Sequence, residues 1–562
     1  MNQPRTVIPA LVCAALACWL ARLASAPSIA ITPDSVQYIS AAQSLAHGSG
    51  VSTRVTEIAE DRGQVPLSAW PPLYPLILAT GAERLESGQR VVRMEWIRAV
   101  NLAALALTFL PLAWLARVCL GGAAWLLCLL WFASARSTHL LASFAWSETV
   151  FVLLTLSGLA LTVRGLAGEE SERRRNLWFL AAGVAAALAA LTRYLGIALV
   201  LSLSITVLLR SGEIAPRHTL RRIGFVIAPT ALLLTLWLGR NLVLTGHLFG
   251  GAPSAPEHAA TRALLDTLLT TLRDWLLPAI LPRTLFLFAA ILTAISAGWL
   301  LWQSAVRFGP ETFERHPLQL TAATALTQYV WIYLAVLLFS SSTLALDPVN
   351  TRLLAPVYPC LLLLVAALVR EAWEQMSDRS ANLALATLAW IFLLQILGTA
   401  QYLVGPRETR SLTSPYWRTV AWSDDAIDRA PQIRYLRHLP PESVVLTNVW
   451  EMVTFATGLP TKVWPEAVPE PSEQWAHRLA GSYLLWDPAY RSYLPDPKTL
   501  LGDSAARSLR LIGAWDGVML YRVEPEGGAF LPSFLDRPTR VPAIEQAALV
   551  GSRSPEVQEI AR

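Results

Sequence analysis

The first residue that could do chemistry is an acid near the start of the chain. Thr32 can cap a helix whose first position is Pro33, and Gly48 can end that helix. Asp34 and Tyr38 then share one helix face, one turn apart. A carboxylate placed there can accept the proton of an incoming hydroxyl or amine. An acid in a first turn also complements the helix dipole, so Asp34 could serve only to stabilise the helix.

Further ionisable residues fall at the ends of apolar segments, on one predicted face of the membrane. Alone, each could be a satisfied polar group or an arginine that reaches the interface. Together, two acids and three arginines predict a polar cavity that binds a lipid-linked phosphate, with the apolar tail in the bilayer. Asp34 is then the candidate base, and the arginines are candidates for stabilising the phosphate leaving group. The residues are Glu148, Arg193 with Tyr194, Arg240 with Asn241 and His247, and Asp347, Asn350 and Arg352.

A proline-rich stretch lies between these groups. Trp70-Pro71-Pro72-Leu73-Tyr74-Pro75 predicts a rigid turn, because three prolines in five residues do not fit a helix interior. The turn leads into an apolar segment, residues 76–82, which is too short to span a bilayer. This segment is predicted to be re-entrant or to lie at the membrane interface, and a loop anchored by aromatic side chains is the simpler alternative.

The composition indicates a polytopic membrane protein. Of 562 residues, 54% are hydrophobic and only 15% are charged, compared with about 25% charged in soluble domains. Because a spanning helix needs about 20 apolar residues, the sequence predicts eleven spans. They cover residues 7–29, 96–116, 119–136, 148–165, 177–192, 193–210, 222–239, 283–303, 319–340, 353–370 and 382–400.

The short loops that carry arginine determine the predicted topology. They place the N-terminus in the cytoplasm, and they place the long loops at about 30–95 and 240–282, with everything after residue 401, outside. The first segment resembles a cleavable signal peptide at Ala24-Ser25-Ala26, but an uncleaved helix is the favoured interpretation. The predicted location is a cell membrane, which the resemblance given below implies to be a bacterial inner membrane. The net charge of +5 does not indicate nucleic-acid binding, because basic residues flank apolar segments.

The composition becomes more polar after the last predicted span. Predicted strands at 443–448 and 482–487 and a predicted helix at 449–458 indicate a small α/β domain. Two further strands, 509–515 and 518–523, flank Asp516-Gly517, which is typical of a hairpin turn. The predicted domains are a membrane module at 1–400, a periplasmic α/β domain at 401–525 and a flexible tail at 526–562.

Several short motifs resemble the GT-C superfamily of polytopic glycosyltransferases, in particular the protein O-mannosyltransferase and aminoarabinose transferase branch. The resemblance covers most of residues 1–465. The matching residues are Asp34, Tyr38 and Ala42; Pro71-Pro72-Leu73-Tyr74-Pro75; Ser147-Glu148; Leu191-Thr192-Arg193-Tyr194; Arg240-Asn241 with Thr245-Gly246; Arg352, Pro356 and Pro359; and Thr457-Gly458-Leu459-Pro460.

The resemblance implies a GT-C-like fold and an inverting transfer of a sugar from a polyprenyl-phosphate donor, often undecaprenyl phosphate, on the periplasmic side. In such families an aspartate of the first outer loop is the catalytic carboxylate, which corresponds here to Asp34. Glu148 falls where a second acid is often found. The predicted substrate-binding residues are Tyr38, Tyr74, Arg193, Tyr194, Arg240, His247 and Arg352.

The sequence has no DxD motif and no paired histidines, so no obligatory metal or other cofactor is expected, although some relatives bind a divalent cation. Two alternatives stay open. One is a transporter or flippase for a lipid-linked glycan. The other is a non-catalytic assembly protein, for which Asp34-Ser35 is the best support, because many relatives carry Asp-Glu there. The sugar and the periplasmic acceptor, which could be a glycolipid, a polymer or a protein, are left open.

Overall fold

A computed structural model describes most of the chain. The described residues are 4–26, 29–53, 65–84, 90–167, 170–210, 216–250, 317–343, 351–374, 376–404, 430–464, 479–488, 495–505, 508–515 and 518–524, with single positions at 271, 275, 295, 475 and 477. The predicted span at 283–303, the turn Asp516-Gly517, and Asp347 and Asn350 lie outside these residues. The predicted tail at 526–562 lies outside them as well.

Helices account for most of the first 404 residues. They are α1 (Pro4–Ala24), α2 (Pro33–Ala46), α3 (Leu73–Ala79), α4 (Met94–Leu120), α5 (Ala124–Ser134), α6 (Arg136–Ser143), α7 (Glu148–Leu166), α8 (Glu172–Thr192), α9 (Ile197–Arg210), α10 (Pro216–Thr245), α11 (Pro317–Thr343), α12 (Thr351–Leu354), α13 (Tyr358–Glu374) and α14 (Asp378–Val404). Four short strands lie between α2 and α4: β1 (Ser52–Thr53), β2 (Val65–Pro66), β3 (Ala82–Arg84) and β4 (Arg90–Val92).

The described chain divides into two compact units. The first contains residues 1–29 and 66–414, and the second contains residues 30–65 and 415–562. The second unit therefore combines the start of the first predicted outer loop with the C-terminal part of the chain. The predicted domain boundaries themselves stay a prediction.

Seven described helices are long and apolar enough to cross a membrane, or eight if the bent pair α5 and α6 is one span. The seven are α1, α4, α7, α8, α10, α11 and α14. The prediction of a multi-pass helical membrane protein is confirmed, whereas its orientation stays a prediction. The break predicted at Thr192-Arg193 is confirmed, because α8 ends at Thr192.

Two predicted elements differ from the structure. The span predicted at 119–136 corresponds to α5, which ends at Ser134, and the chain continues beyond the predicted end into α6 after a bend of 47°. The short helix predicted at 76–82 instead runs from Leu73 to Ala79. Pro75 fits there because it occupies the first turn, where a backbone N–H has no partner within the helix.

Helix α8 packs tightly because its inner face is made of small residues. Ala182, Gly183 and Ala186 are buried along that face. A Cβ added at Gly183 would lie 2.4 Å from the backbone oxygen of Phe225 on α10. Small residues let membrane helices approach closely and gain van der Waals contact. This close approach holds α8 and α10 side by side and fixes the positions of the residues at both of their ends.

The second unit contains a five-stranded sheet in the order β6–β5–β7–β9–β8. Strand β5 pairs in parallel with β6 and β7, whereas β9 pairs antiparallel with β7 and β8. Three buried tryptophans, Trp464, Trp475 and Trp486, pack together on the sheet, with ring centroids 5.7–5.8 Å apart. The elements are β5 (Val445–Thr447), β6 (Thr461–Val463), β7 (Tyr483–Trp486), β8 (Leu509–Trp515), β9 (Val518–Val523), α15 (Pro431–Arg437), α16 (Trp450–Thr457) and α17 (Pro497–Ala505).

The predicted elements of this unit are confirmed in type and order. The predicted helix is α16, which ends at Gly458 with φ of +70°, a backbone conformation that favours glycine. Strand β6 is not among the predicted elements. Helix α2 begins after Thr32 as predicted, and Thr32 and Ser35 cap it reciprocally. Helix α2 contacts α16 within this unit.

Asp496 gives a direct test of how α17 is held. Its carboxylate accepts hydrogen bonds from the backbone N–H groups of Lys498 and Thr499 (3.0 and 3.1 Å) and from the Thr499 hydroxyl (2.6 Å). The hydroxyl and backbone hydrogen bonds lower the pKa of Asp496. We expect Asp496→Ala to destabilise α17 by about 1 kcal/mol, measured as faster amide hydrogen exchange over residues 498–505 of the full chain.

The Asp496 carboxylate makes the stability of α17 depend on pH. Because its pKa is lower in the folded chain, the carboxylate's stabilisation is present above about pH 4 and is lost as the pH falls through the folded pKa. Asp496→Asn should keep most of the protection at neutral pH but abolish its decrease in acid, because asparagine caps helices without titrating. An unchanged acid response in this variant would contradict the assignment.

Candidate functional site

The centre of the candidate site is Glu148, the first residue of α7, whose side chain is fully buried. Arg193 Nη1 and Arg352 Nε both donate hydrogen bonds to Glu148 Oε1. The side chains of Arg193 and Arg352 are themselves 15% and 4% exposed. We refer to Glu148, Arg193 and Arg352 as the ion cluster. Three residues that are far apart in the sequence therefore meet in one buried place.

The end of α8 positions Arg193. The chain leaves the helix at this residue with an extended backbone and then makes a single 3₁₀ turn, Tyr194–Gly196, before α9. A Cβ at Gly196 would lie 2.4 Å from the backbone nitrogen of Ala190, so only glycine allows the turn to fold back on α8. The sharp turn directs Arg193 to the ion cluster and places Tyr194 beside a different set of partners.

A short helix and an aromatic pair position Arg352. The residue lies on α12, which the hydroxyl of Tyr333 holds by donating to the carbonyl of Leu353 (2.7 Å). The Arg352 guanidinium lies over the ring of Trp146, 4.6 Å from its centroid. Trp146 in turn stacks on Phe144 at 4.1 Å. A cation over a desolvated aromatic face gains about 2 kcal/mol, so Trp146 helps to hold the buried charge.

The ion cluster brings two cations to one acid. The guanidinium groups of Arg193 and Arg352 share the single carboxylate of Glu148. Within the described part of the chain, Glu148 Oε2 has no hydrogen-bond partner. Two guanidinium groups held side by side are suited to an anionic ligand, and to phosphate in particular.

A fully buried asparagine holds the segment that carries Trp146 and Glu148. Asn101 on α4 donates through Nδ2 to the carbonyl of Phe144 (2.6 Å). Its Oδ1 accepts hydrogen bonds from the hydroxyls of Tyr74 (2.9 Å) and Thr149 (3.3 Å). Asn101 thus binds the chain on both sides of Glu148 and connects it to α3 through Tyr74.

We expect Asn101→Ala to lower the free energy of unfolding by about 1–3 kcal/mol, because it removes the partner of three buried polar groups. Thermal unfolding in detergent would measure the loss. Tyr74→Phe is the matched control, since it removes a single hydrogen bond and leaves the other two in place. Equal losses in the two variants would contradict a central role for Asn101.

A second group surrounds Arg240, near the end of α10. Arg240 donates to the carbonyl of Leu67 (2.8 Å), and its guanidinium lies 4.6 Å from the ring centroid of Trp237. Tyr194 donates its hydroxyl to the carbonyl of Ser68 (2.8 Å) and accepts a hydrogen bond from Trp237 Nε1 (3.0 Å). These side chains hold the loop at 67–68 against the ends of α8 and α10.

The structure brings some predicted site residues together and separates others. Glu148, Arg193 and Arg352 form the ion cluster, whereas Arg240 and Tyr194 form the second group and Tyr74 joins Asn101. His247 is exposed in the turn after α10, where its backbone N–H donates to Thr245 Oγ1. Asp34 is half-buried in the first turn of α2, and Tyr38 is buried; both belong to the second unit.

The list of predicted site residues omits Asn101, Trp146 and Tyr333. Asn101 had a visible signal, because it is an amide inside an otherwise apolar span, and such residues seek specific partners. Nothing in the sequence marks Trp146 and Tyr333 as site residues, because aromatic residues are common in membrane helices. Among the described residues, no group of three His, Cys, Asp or Glu side chains could hold a metal ion. The expectation of a metal-independent site stays a prediction.

Comparison with known proteins identifies the fold. No family model and no curated protein sequence matches the chain. Among solved structures, ArnT from Cupriavidus metallidurans bound to undecaprenyl phosphate is similar, with a TM-score of 0.55, 15% identity, and coverage of 95% of this chain and 100% of ArnT. The chain has a GT-C fold.

Two further structures support this fold. The apo form of the same ArnT has a TM-score of 0.57 at 16% identity, covering 91% of this chain and 96% of that one. The archaeal oligosaccharyltransferase AglB from Archaeoglobus fulgidus, in complex with an inhibitory peptide and a dolichol-phosphate, has a TM-score of 0.53 at 13% identity. That match covers 94% of this chain and 75% of AglB. The predicted GT-C-like fold is therefore confirmed.

Proposed function

We propose that this protein transfers a sugar from a polyprenyl-phosphate donor to an acceptor on the outer face of the membrane. The observation that carries the proposal is the ion cluster, a buried pair of guanidinium groups on one carboxylate at the ends of apolar helices, in a chain with a GT-C fold. The solved structures with this fold include one bound to undecaprenyl phosphate and one in complex with a dolichol-phosphate.

The two guanidinium groups of the cluster favour a phosphate as the bound group. Arg193 and Arg352 both donate to Glu148, so their guanidinium groups lie side by side. Paired guanidinium groups match the geometry of a phosphate better than any other cationic side chain does. Such charge-assisted hydrogen bonds are about twice as strong as neutral ones. As the bond to the sugar breaks, negative charge develops on the phosphate, and the arginines stabilise it.

Glu148 acts in this proposal by orienting the two arginines. Both guanidinium groups bind one of its oxygens, so its charge is already shared between two cations. The candidate for the general base is Asp34, as predicted from the sequence. Glu148 is the second candidate for that role.

The proposed reaction is a single displacement at the anomeric carbon. The Asp34 carboxylate removes the proton from the acceptor hydroxyl or amine as that atom attacks. The bond from the acceptor atom to the anomeric carbon forms while the bond from that carbon to the phosphate oxygen breaks. The electron pair leaves with polyprenyl phosphate, and the configuration at the anomeric carbon inverts.

The test uses purified full-length protein and donors that carry a radiolabelled sugar. Release of free polyprenyl phosphate from a polyprenyl-phosphate sugar is the expected result. Movement of the intact lipid across sealed vesicles, with no bond cleavage, would overturn the proposal in favour of a flippase. Absence of both activities with every donor would favour a non-catalytic protein.

Arg352→Gln tests the phosphate site separately. We expect about 10- to 100-fold weaker donor binding, because a hydrogen bond to a charged group contributes about 1.5–3 kcal/mol. Arg93→Gln is the matched control, since Arg93 is 63% exposed and pairs with Glu83. Equal donor affinity in the two variants would show that Arg352 does not contact the phosphate.

A further inference from the structure

A groove lies at the end of α8 and α10 farthest from Arg193 and Arg240. It has a volume of about 390 Å³. Its lining changes from polar at the helix ends to apolar farther along the helices. The lining residues are Glu172, Arg173, Asn176, Arg221, Leu177, Leu180 and Phe225.

The rim of this groove is strongly basic. The Glu172 carboxylate pairs with the guanidinium group of Arg221 and with His218, whose Nδ1 lies 2.8 Å from Glu172 Oε1. Arg173 is exposed, and within the described part of the chain it has no ion-pair partner. The surrounding positions add Arg174, Arg175, Arg217 and Arg222. Among the described residues of this region, Glu170 pairs with Arg164 and lies near Arg174, so arginines still outnumber the carboxylates.

The apolar part of the groove continues along the surface of α8. Leu177, Leu180 and Val184 follow each other at helical spacing and are 56%, 39% and 42% exposed. On a helix that crosses a membrane, such a stripe faces lipid chains rather than water. Phe225 on α10 forms the opposite wall of the groove. A basic rim joined to an apolar stripe matches an amphiphile with a negatively charged head.

We propose that this groove binds the headgroup of an anionic diacyl phospholipid of the leaflet predicted to be cytoplasmic. The lipid phosphate contacts Arg173 and Arg221, and one acyl chain lies along Leu177 and Leu180. Basic pockets between membrane helices bind acidic headgroups in this way. A lipid fits better than a protein partner, because the apolar stripe extends into the depth of the bilayer.

The groove is separate from the ion cluster. Helix α8 has 21 residues, so its ends are about 30 Å apart. The groove lies at the Glu172 end, whereas Arg193 directly follows the other end. The proposal therefore does not depend on the proposed glycosyl transfer, and either can fail alone.

The experiment measures phosphatidylglycerol bound to the purified full-length protein in detergent, by titration and native mass spectrometry, with phosphatidylcholine as the neutral-headgroup reference. We expect Arg173→Gln to weaken phosphatidylglycerol binding about fivefold. Arg217→Gln is the matched control, because it removes the same charge from the same basic region without lining the groove. It should change the affinity much less.

A second variant has the opposite expected sign. Glu172→Gln removes the one carboxylate of the rim and releases Arg221, so phosphatidylglycerol should bind more tightly. Equal losses in Arg173→Gln and Arg217→Gln would mean diffuse surface attraction and would overturn the site. Weaker binding in Glu172→Gln would overturn it too. Displacement of phosphatidylglycerol by equimolar polyprenyl phosphate would assign the groove to that lipid instead.

Discussion

Replacement of Asp34 with asparagine should lower the initial rate of polyprenyl phosphate release by about 10²- to 10⁴-fold, the usual contribution of a general base. Asparagine has nearly the same shape but cannot take a proton at neutral pH. Asp34 lies in the first turn of α2, and the caps of that helix, Thr32 and Ser35, are untouched by the change. The thermal unfolding midpoint should therefore stay close to that of the unmodified protein.

Glu83→Gln is the control for this experiment. Glu83 is 52% exposed, lies on β3 and pairs with Arg93 at the surface, so its loss should leave the rate unchanged. An Asp34→Asn variant that keeps more than a tenth of the rate would show that the base lies elsewhere. Glu148 would then be the next residue to replace.

Glu148→Gln should have the largest effect on stability, a loss of about 3–5 kcal/mol in the free energy of unfolding. The change leaves two buried guanidinium groups without their shared anion. Breaking a buried ion pair on one side costs this much because the remaining charges stay desolvated. Chemical denaturation in detergent micelles would measure the loss. The exposed pair of Glu83 and Arg93 sets the scale for an ion pair at the surface, about 0–1 kcal/mol.

A double variant separates charge balance from packing. Glu148→Gln with Arg352→Met removes one acid and one cation, so one buried guanidinium is left where the single variant has two. We expect the double variant to be more stable than Glu148→Gln alone, because only one buried guanidinium group has then lost its acid. The effects of the two substitutions are therefore not additive, as is usual for residues in contact. Additive losses would show that Glu148 and Arg352 stabilise the fold independently.

Local signals explain which parts of the fold could be predicted. The start of α2 at Pro33 and the end of α16 at Gly458 follow from capping residues that act within one helical turn. Strands β8 and β9 follow from the residues around one turn signal. Long apolar segments predict membrane helices for the same reason, since hydropathy is a property of the segment itself.

The continuation of α5 into the bent helix α6 could not be predicted, because α6 begins with the polar residues Arg136-Ser137-Thr138-His139 and is not apolar as a segment. The bend is stabilised by distant residues. Gln395 on α14 donates to the carbonyl of Trp131 and to Ser134 Oγ (both 2.9 Å), and Thr399 donates to the carbonyl of Ser134 (2.7 Å). No pattern within residues 119–136 reveals those partners.

The contacts within the candidate site could not be predicted either, because they join residues that are distant in the sequence. Residue type and membrane face were sufficient to single out Glu148, Arg193 and Arg352, but not to pair them. The hydrogen bond between Glu148 and Arg352 joins residues 204 positions apart. The separate placement of Arg240, which binds a backbone carbonyl beside Trp237, also depends on tertiary packing.

The pairing of α2 with α16 matters for anyone who exchanges parts between relatives. A chimera that takes only residues after 415 from another protein would place a foreign α16 against the resident α2. A hybrid has to receive both stretches from one parent to keep that contact native. Because the unit consists of residues 30–65 and 415–562, such an exchange moves two separate pieces of the gene.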